Sequence, residues 1–529
     1  MLKIKIFNHL PLCVIALLAL VGPAQAAVTM PKVFADHMVL QRDMPVAVWG
    51  WADAGEKVTV RFGHQNKTSM PDATGRWQVA LDAMPANASA QELTIVGTNT
   101  VVIRDVLVGE VWLCAGQSNM NTPTMQHSKD ILDREMPKAD LPTFRLFGSS
   151  VTMSPVMQKD LPGGQWVLSK PATALNFSGV AFFFGREVHN TLKVPVGVIR
   201  TACGGSKCES WTSIEGLQGD PVYQKTLKSF WDKKLVEYPV ALKKYNEVTL
   251  PNWEKAAAQA KADGKPEPKK PAPPFALYGP ESPHCPATLF NHMIAPLVGL
   301  TVRGVIWYQG ESNASSSDEG KYYRTLFPTM ITDWRNRWQR PDLPFLFVQL
   351  ANFKAEQTLP VEMDAKVGWP LAREAQAMAL SLPHTGMITA IDINHEPDNI
   401  HPKNKYDVGR RLGFLALSKV YGKNIPYAGP TFEKMTTEDN KVRIHFTHTD
   451  GGLKTRDGGP VKGFALAEQA GEFVWADGVI EGKTLVLSSP QVKTPAKVRY
   501  GWAMNPIGNL DNGVGLPAFP FRTDLGQDL

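Results

Sequence analysis

Val108-Gly-Glu-Val-Trp-Leu-Cys-Ala-Gly-Gln-Ser-Asn-Met120 is the stretch that decides the fold of this 529-residue chain. Its apolar run, residues 111–115, predicts a buried strand that ends in a turn at Gly116. The turn carries one hydroxyl group, that of Ser118. In α/β folds reactive groups lie where strands end at the carboxyl edge of the sheet. A Gly-x-Ser turn is more often part of an ordinary loop than the site of a nucleophile. Evidence from the rest of the chain is therefore needed to assign a role to Ser118.

Around this stretch, from about 105 to 424, apolar segments alternate with helix-like segments. This alternation predicts an α/β domain with a parallel sheet and helices on both faces. The strand-to-helix loops are then expected to gather at one edge of the sheet. The predicted strands are residues 111–115, 143–147, 196–201, 304–308, 345–349 and 387–393, and the predicted helices are 179–192, 289–297, 322–337, 372–380 and 407–421.

Two all-β regions flank the alternating region. In residues 27–104 short alternating segments are separated by turn residues, which predicts a sandwich or jelly-roll domain. Residues 425–529 show the same pattern and form a second β region. Residues 215–283 interrupt the alternation with a lysine-rich helical stretch and a proline-rich linker, and are interpreted as an insertion that overhangs the site.

The segment 1–26 has the pattern of a secretory signal. Lys3 and Lys5 precede an apolar segment, residues 10–21, and Ala24-Gln-Ala26 offers a cleavage site. The mature chain is expected to start near Ala27 and to be exported, to the periplasm or outside the cell. No later stretch predicts a membrane span.

The amino-acid composition limits the kinds of molecule that the protein is expected to bind. A content of 43% hydrophobic and 20% charged residues is typical of a globular protein. The formal net charge of +6 falls to +4 when Lys3 and Lys5 leave, which is too weak to indicate a nucleic-acid partner. Four cysteines remain in the mature chain, and the sequence does not rank their possible disulfide pairings. They are Cys114, Cys203, Cys208 and Cys285.

Three further loops follow predicted strands and contain groups that could take part in catalysis. Residues 201–211 contain a glycine pair, whose backbone N–H groups are free to face a substrate oxygen. Residues 304–313 supply the amides of Gln309 and Asn313. Residues 392–402 contain two Asp-x-x-His phases.

Acyl transfer needs a nucleophile, a base, an acid that orients the base, and donors for the oxyanion. The four loops provide these groups in the order Ser, Gly, amide and Asp-x-x-His. Each loop alone is a weak signal, but their ordered occurrence at successive strand ends predicts that Ser118 is a nucleophile.

Six stretches of the sequence form motifs: Gly116-Gln-Ser-Asn-Met120, Trp307-Tyr-Gln-Gly-Glu-Ser-Asn313, Ile400-His-Pro-Lys-Asn-Lys405, Val408-Gly-Arg-Arg-Leu412, Phe34-Ala-Asp-His-Met-Val-Leu-Gln-Arg42 and Val46-Ala-Val-Trp-Gly50. They resemble the motifs of the sialate O-acetylesterase family of SGNH hydrolases. The resemblance covers residues 105–421 and extends into the amino-terminal β domain. It implies a three-layer α/β/α fold and removal of acetyl esters from carbohydrates, without a metal or a cofactor. The substrates that it allows are O-acetylated sialic acid and acetylated plant polysaccharides such as xylan or xyloglucan.

The resemblance also implies roles in the last loop. His401 matches the base and Asp398 the acid that orients it, in preference to His395 with Asp392. A double displacement through acetyl-Ser118 is expected. The oxyanion donors are predicted to be the backbone N–H groups of Ser118 and Gly205 and one side-chain amide, that of Gln309 or Asn313. Candidate substrate contacts are Trp211 and His395, with Trp369 and Tyr278 as further aromatic candidates.

Two other functions are compatible with parts of the pattern. A non-catalytic carbohydrate-binding protein would use the two β regions and the many tryptophans, but would not need the Ser, Asp and His set. A serine lipase or peptidase would use the same triad, but Gly116-Gln-Ser-Asn lacks the Gly-x-Ser-x-Gly elbow and no long apolar groove is indicated. The motifs are common to enzymes for all of these glycans and do not indicate an oligomeric state.

Overall fold

A computed structural model of the protein describes residues 27–274, 279–362, 367–396 and 398–524. The predicted signal segment, residues 1–26, and Tyr278 lie outside these described residues. Within them, no helix is long and apolar enough to cross a membrane.

The amino-terminal region is built of short strands, as its alternating pattern predicts. They are β1 (Val39–Gln41), β2 (Val46–Trp51), β3 (Val58–Phe62), β4 (Gln65–Ser69), β5 (Arg76–Leu81) and β6 (Asn87–Val96). β2 pairs with β5, and β3 pairs with both β4 and β6, all antiparallel. Buried and exposed side chains alternate in β3 and β5, so each of these strands turns one face to a core that contains Trp49 and Trp77.

The central sheet confirms the predicted α/β fold. Its strands are β7 (Thr100–Gly116), β8 (Leu141–Ser149), β9 (Gly164–Ser169), β10 (Val196–Ala202), β11 (Gly304–Tyr308), β12 (Phe345–Gln349) and β13 (Thr385–Thr389). They lie in the order β13-β12-β11-β7-β10-β8-β9 and are parallel except for β9, which is antiparallel to β8. Strands β10 to β13 are buried almost throughout, as expected for a sheet covered on both faces.

Strand β7 belongs to two regions at once. Its first part pairs with β6 of the amino-terminal region, and its last part pairs with β10 and β11. The β6–β7 register shifts near Asp105, which has a positive φ of 53° and accepts hydrogen bonds from Arg145 through its carboxylate. The predicted boundary between residues 104 and 105 therefore falls inside one continuous strand, at an irregularity in its pairing with β6.

The helices lie close to the predicted ones. Residues 179–192 match the prediction, whereas residues 290–297 form a π-helical turn and a 3₁₀ turn instead of an α-helix. The helices are α1 (Ser118–Asn121), α2 (Lys129–Glu135), α3 (Pro171–Asn176), α4 (Gly179–Leu192), α5 (Ile214–Gln218), α6 (Lys228–Lys244), α7 (Leu250–Ala262), α8 (Ser317–Trp338), α9 (Trp369–Met378) and α10 (Lys405–Lys419).

The carboxyl-terminal region adds further antiparallel sheets and is tied to the α/β region by Arg373 of α9. The buried guanidinium of Arg373 donates to the carbonyls of Leu350 and Ala351 on one side and of Ala503 and Met504 on the other. The strands are β14 (Thr431–Glu438), β15 (Lys441–Thr447), β16 (Leu453–Thr455), β17 (Phe464–Ala467), β18 (Val474–Trp475), β19 (Asp477–Glu481), β20 (Thr484–Ser488), β21 (Lys497–Tyr500), β22 (Leu510–Asn512) and β23 (Phe521–Arg522). The two larger sheets have the orders β14-β15-β20-β19 and β18-β17-β21-β23.

Candidate active site

Three strands end at the same level at the carboxyl edge of the central sheet. Gly116, the last residue of β7, pairs with Ala202 at the end of β10 and with Tyr308 at the end of β11. Gly116 has a φ of 144°, and a Cβ atom added there would lie 2.1 Å from the carbonyl oxygen of Tyr308. Only glycine allows this close approach, which packs the start of the nucleophile turn, residues 116–121, against β11.

Ser118 is the first residue of α1, where the backbone N–H has no acceptor within the helix. Its carbonyl oxygen accepts hydrogen bonds from the backbone N–H and the hydroxyl of Thr122, at 2.7 and 2.8 Å. Residues 203–206 after β10 form a turn that is called the glycine turn here. It lies against Ser118, because a Cβ atom on Gly204 would be 3.6 Å from the Cβ of Ser118. Gly205, the predicted donor, follows with a positive φ of 71°.

The amides of Gln309 and Asn313 lie behind the glycine turn. Gln309 Nε2 donates to the carbonyl of Ser206 and to Asn313 Oδ1, so both of its N–H groups are engaged. Asn313 Oδ1 also accepts from the backbone N–H of Cys208, and its Nδ2 donates to Glu209. The hydrogen bonds of the two amides therefore support the conformation of the glycine turn. They use one of the two N–H groups of the Asn313 side chain.

The fourth loop, residues 392–404, is called the base loop here. It meets the nucleophile turn through Asn119, whose Nδ2 donates to the carbonyl of Ile400 at 3.1 Å. Asn119 and Ile400 are direct chain neighbours of Ser118 and His401. This bond therefore brings together the two loops that carry the predicted nucleophile and base.

His401 is half-buried, and partial burial together with the charge of Lys405 holds the pKa of its imidazole below the ordinary value. Within the described part of the chain the imidazole makes no hydrogen bond, and Asp398 is exposed. Catalytic hydrogen bonds are often loose in ligand-free enzymes and tighten around the substrate. The pairing of Asp398 with His401 stays a prediction.

The alternative pair, Asp392 with His395, has a different geometry. Both carboxylate oxygens of Asp392 accept from Arg411, each at 2.7 Å, while His395 is exposed. Burial alone would raise the pKa of Asp392, but Arg411 outweighs it and holds this pKa below the ordinary value. Asp392 is thus already engaged in an ion pair with Arg411 where the base loop begins, a position called the root of the loop here. This favours Asp398 as the partner of His401.

A ladder of asparagine side chains holds the base loop from the carboxyl-terminal region. Asn352 donates to Asn505 Oδ1 at 3.0 Å and accepts from the backbone N–H of Asn394. Asn394 in turn donates to the carbonyl of Asn399 at 2.9 Å. Asn399 then accepts from the backbone N–H of His401 at 2.9 Å. The conformation of the loop therefore depends on residues that are distant in the sequence.

Two features near the site were missed by the sequence reasoning. His284, just after the insertion, donates through Nε2 to the carbonyl of Gly205 at 2.8 Å. No spacing in the sequence connects this histidine with the glycine turn. The second feature is a buried polar group formed by Asn119, Glu311 and Lys405, all three of which stand in motifs that carried the family resemblance.

Two of the aromatic candidates for substrate contacts, Trp211 and Trp369, lie in the core. Trp211 is 0% exposed and donates through Nε1 to Ser206 Oγ, so no face of its ring reaches solvent. Trp369 is likewise buried, with Nε1 bonded to the carbonyl of Ala351. Both rings therefore pack the interior in this structure, while His395 is exposed.

The four cysteines of the described chain are buried free thiols. Burial raises the pKa of Cys203 to about 11 and that of Cys285 to about 12, so neither is a reactive thiolate at neutral pH. Among the described residues, no group of three or more His, Cys, Asp and Glu side chains is arranged to hold a metal ion.

Comparison with known proteins supports the fold and the family that the sequence motifs resemble. The family model of carbohydrate esterases described as sialic acid-specific acetylesterases matches residues 108–237 and 285–416. The sialate O-acetylesterase of Mus musculus is 30% identical over 78% of this chain and 77% of its own length. This chain belongs to that family. As a member of the sialic acid-specific acetylesterase family, it is a carboxylic-ester hydrolase.

Two further relatives extend the match. The sialate O-acetylesterase of Rattus norvegicus is 29% identical over 93% of both chains. The crystal structure of a carbohydrate acetylesterase from Xanthomonas citri has a TM-score of 0.77 at 34% identity, and the match covers 94% of this chain and 100% of that one. The family model does not match residues 238–284, which lie between its two matched segments. All of these residues except His284 fall within the predicted insertion, residues 215–283.

Proposed function

We propose that this esterase removes acetyl groups from sugars by a double displacement in which Ser118 is the nucleophile, His401 the base and Asp398 the acid that orients the base. The observation that carries the proposal is the meeting of three loops at Ser118. The glycine turn lies against its Cβ, and the base loop is bonded to its neighbour Asn119. Together these loops supply the groups that acyl transfer needs.

In the first step His401 accepts the proton of the Ser118 hydroxyl as Oγ attacks the acetyl carbonyl. Collapse of the tetrahedral intermediate breaks the ester bond, and the leaving sugar oxygen takes the proton from His401. The lowered pKa of His401 keeps the imidazole neutral, and so able to act as a base, at neutral pH. Water that His401 activates then hydrolyses acetyl-Ser118.

The oxyanion of each tetrahedral intermediate is expected to lie between two backbone N–H groups. One is that of Ser118, at the start of α1, and the other comes from the glycine turn at Gly204 or Gly205. Hydrogen bonds from His284 and Gln309 to carbonyls of this turn support a fixed conformation for it. Of the two predicted amides, Asn313 is the better candidate for a third donor, since both N–H groups of Gln309 are engaged.

The proposed substrate is an O-acetylated sugar, either sialic acid or a plant polysaccharide such as xylan or xyloglucan. The two mammalian relatives are named for sialate, while the bacterial relative of known structure is described only as a carbohydrate acetylesterase. We also propose export of the chain to the periplasm or the medium, a proposal that rests on the signal-like pattern of the segment 1–26.

Acetate release from acetylated glycans tests this proposal. Purified wild type and Ser118→Ala are each incubated with O-acetylated sialic acid, acetylated xylan and acetylated xyloglucan, and acetate is measured over time. Release by wild type and not by Ser118→Ala is expected with at least one substrate, and the preferred substrate identifies the class. If wild type releases no acetate from any of the three substrates, the result would favour a non-catalytic binding protein. If it cleaves long-chain esters or peptides in preference to these substrates, the result would favour a lipase or a peptidase.

A further inference from the structure

A buried polar group lies next to Ser118. Its members are Asn119 of the nucleophile turn, Glu311 of the loop after β11, and Lys405 at the start of α10. Asn119 is 1% exposed, Glu311 6% and Lys405 0%. Side chains that can be charged are almost never buried to this degree unless they are paired.

One amide connects the three residues. Asn119 Nδ2 donates to Glu311 Oε1 at 2.5 Å and to the carbonyl of Ile400 at 3.1 Å, while Lys405 Nζ donates to Asn119 Oδ1 at 2.5 Å. Lys405 and Glu311 therefore interact through the amide of Asn119. Because the ammonium form of Lys405 can only donate and the carboxylate form of Glu311 can only accept, these charged forms orient the amide so that Nδ2 faces Ile400.

The surroundings of Lys405 offer little other compensation for its charge. Nearby groups are the ring of Tyr308, 5.8 Å from Nζ, and the imidazole of His127 across Gly179. Burial lowers the pKa of Lys405 to about 7 and that of His127 to about 4, and raises the pKa of Glu311. Oε2 of Glu311 has no hydrogen-bond partner among the described residues. Apolar side chains of similar size would fill such a space at a lower desolvation cost, so packing alone does not explain these residues.

We propose that Asn119 is a positioning residue, whose amide is oriented by Lys405 and Glu311 so that it holds the base loop with His401 at the distance from Ser118 that proton transfer requires. This inference rests on the proposed roles of Ser118 and His401. The bond to Ile400 reaches the base loop one residue before the base. A displacement of about 1 Å is enough to cost on the order of a hundredfold in rate.

The test uses two isosteric variants. Asn119→Asp replaces the Nδ2 donor by an oxygen that faces two acceptors, Glu311 Oε1 and the Ile400 carbonyl. Adding Glu311→Gln restores a donor to the first contact and keeps the net charge of wild type, but leaves the Ile400 carbonyl without a donor. Asn291→Asp is the matched control outside the proposed site, because Asn291 is also buried and its Nδ2 donates to a main-chain carbonyl, that of Ser154, at 3.1 Å.

Three quantities are measured at pH 7: the kcat and KM for an acetyl ester, the rate at which a fluorophosphonate labels Ser118, and the melting temperature. We expect Asn119→Asp to lower kcat and the labelling rate about a hundredfold, with KM within about twofold. In the double variant the melting temperature should recover while kcat stays low. Asn291→Asp should lower the melting temperature and keep the kcat and the labelling rate of wild type.

Two outcomes overturn the inference. If kcat recovers together with the melting temperature in the double variant, the polar group is only structural. If Asn119→Asp is labelled and turns over at the wild-type rate, the bond to Ile400 does not position the base. Failure of the proposed function would look different, because wild type itself would then neither hydrolyse the ester nor be labelled at Ser118.

Discussion

The nucleophile turn and the base loop are both parts of the proposed site, but different interactions hold them. The turn is fixed by main-chain packing, since Gly116 lies too close to Tyr308 for any side chain and Asn119 and Met120 are buried. The base loop has exposed residues at 395, 396 and 398, and it is held by side-chain amides and by an ion pair at its root. Changes at the tip of the loop are therefore expected to alter activity with little effect on stability, whereas changes at its root should do the reverse.

The largest effect is expected at the proposed base, at the tip of the loop. His401→Ala should lower kcat by about four orders of magnitude, because no other group would take the Ser118 proton, and should leave the melting temperature near that of wild type. His395→Ala is the matched control in the same loop and should keep kcat within a few-fold. Steady-state kinetics and thermal melts of both variants provide the measurement. Inactivity of the His395 variant alone would show that the other Asp-x-x-His phase holds the base.

Two carboxylates of the base loop should separate activity from stability. Asp398→Asn should lower kcat at least tenfold, and by up to about 10⁴-fold, because an amide no longer favours the required tautomer of His401. Asp392→Asn should instead destabilise the fold by about 3 kcal/mol, since it leaves the largely buried Arg411 without its charged partner. Denaturant unfolding and kcat are compared for the two variants. If Asp392→Asn loses activity without losing stability, the assignment of the acid is wrong.

A smaller effect is expected in the pH profile of kcat/KM. Because His401 must be neutral to act as a base, activity should be lost as the pH falls through its pKa. Burial and the charge of Lys405 lower this pKa, so the midpoint of the acid limb should lie below 6.5, the ordinary value. The profile is measured with wild type, and His395→Ala should show the same acid limb. A midpoint above the ordinary value would contradict the environment that is described for His401.

The comparison also explains how much could be predicted from the sequence. The turn at Gly116 follows from an apolar run that ends in small residues, and the strand ends that carry Gly205 and Gln309 were found by the same reasoning. Such signals are local, because a buried strand has to be apolar and a turn has to follow it. The α/β fold and the order of the loops were therefore predictable, and the family match confirms the resemblance.

Interactions between distant segments left no such signal. The ladder from Asn505 to Asn352 joins residues 153 positions apart, and the bond from His284 to Gly205 joins residues 79 positions apart. Neither follows from periodicity or spacing. The burial of Trp211 was not predictable either, because an aromatic residue in a polar loop motif has no pattern that distinguishes a stacking surface from core packing.

The most direct test of the central claim is the identity of the acetylated residue during turnover. Wild type is mixed with an activated acetyl ester, quenched with acid within the first turnovers, digested, and analysed by peptide mass spectrometry. The account predicts one acetyl group on Ser118, which is absent after full hydrolysis and absent in Ser118→Ala. An acetyl group that forms on another residue at the rate of turnover, or steady hydrolysis by Ser118→Ala at the wild-type rate, would contradict it.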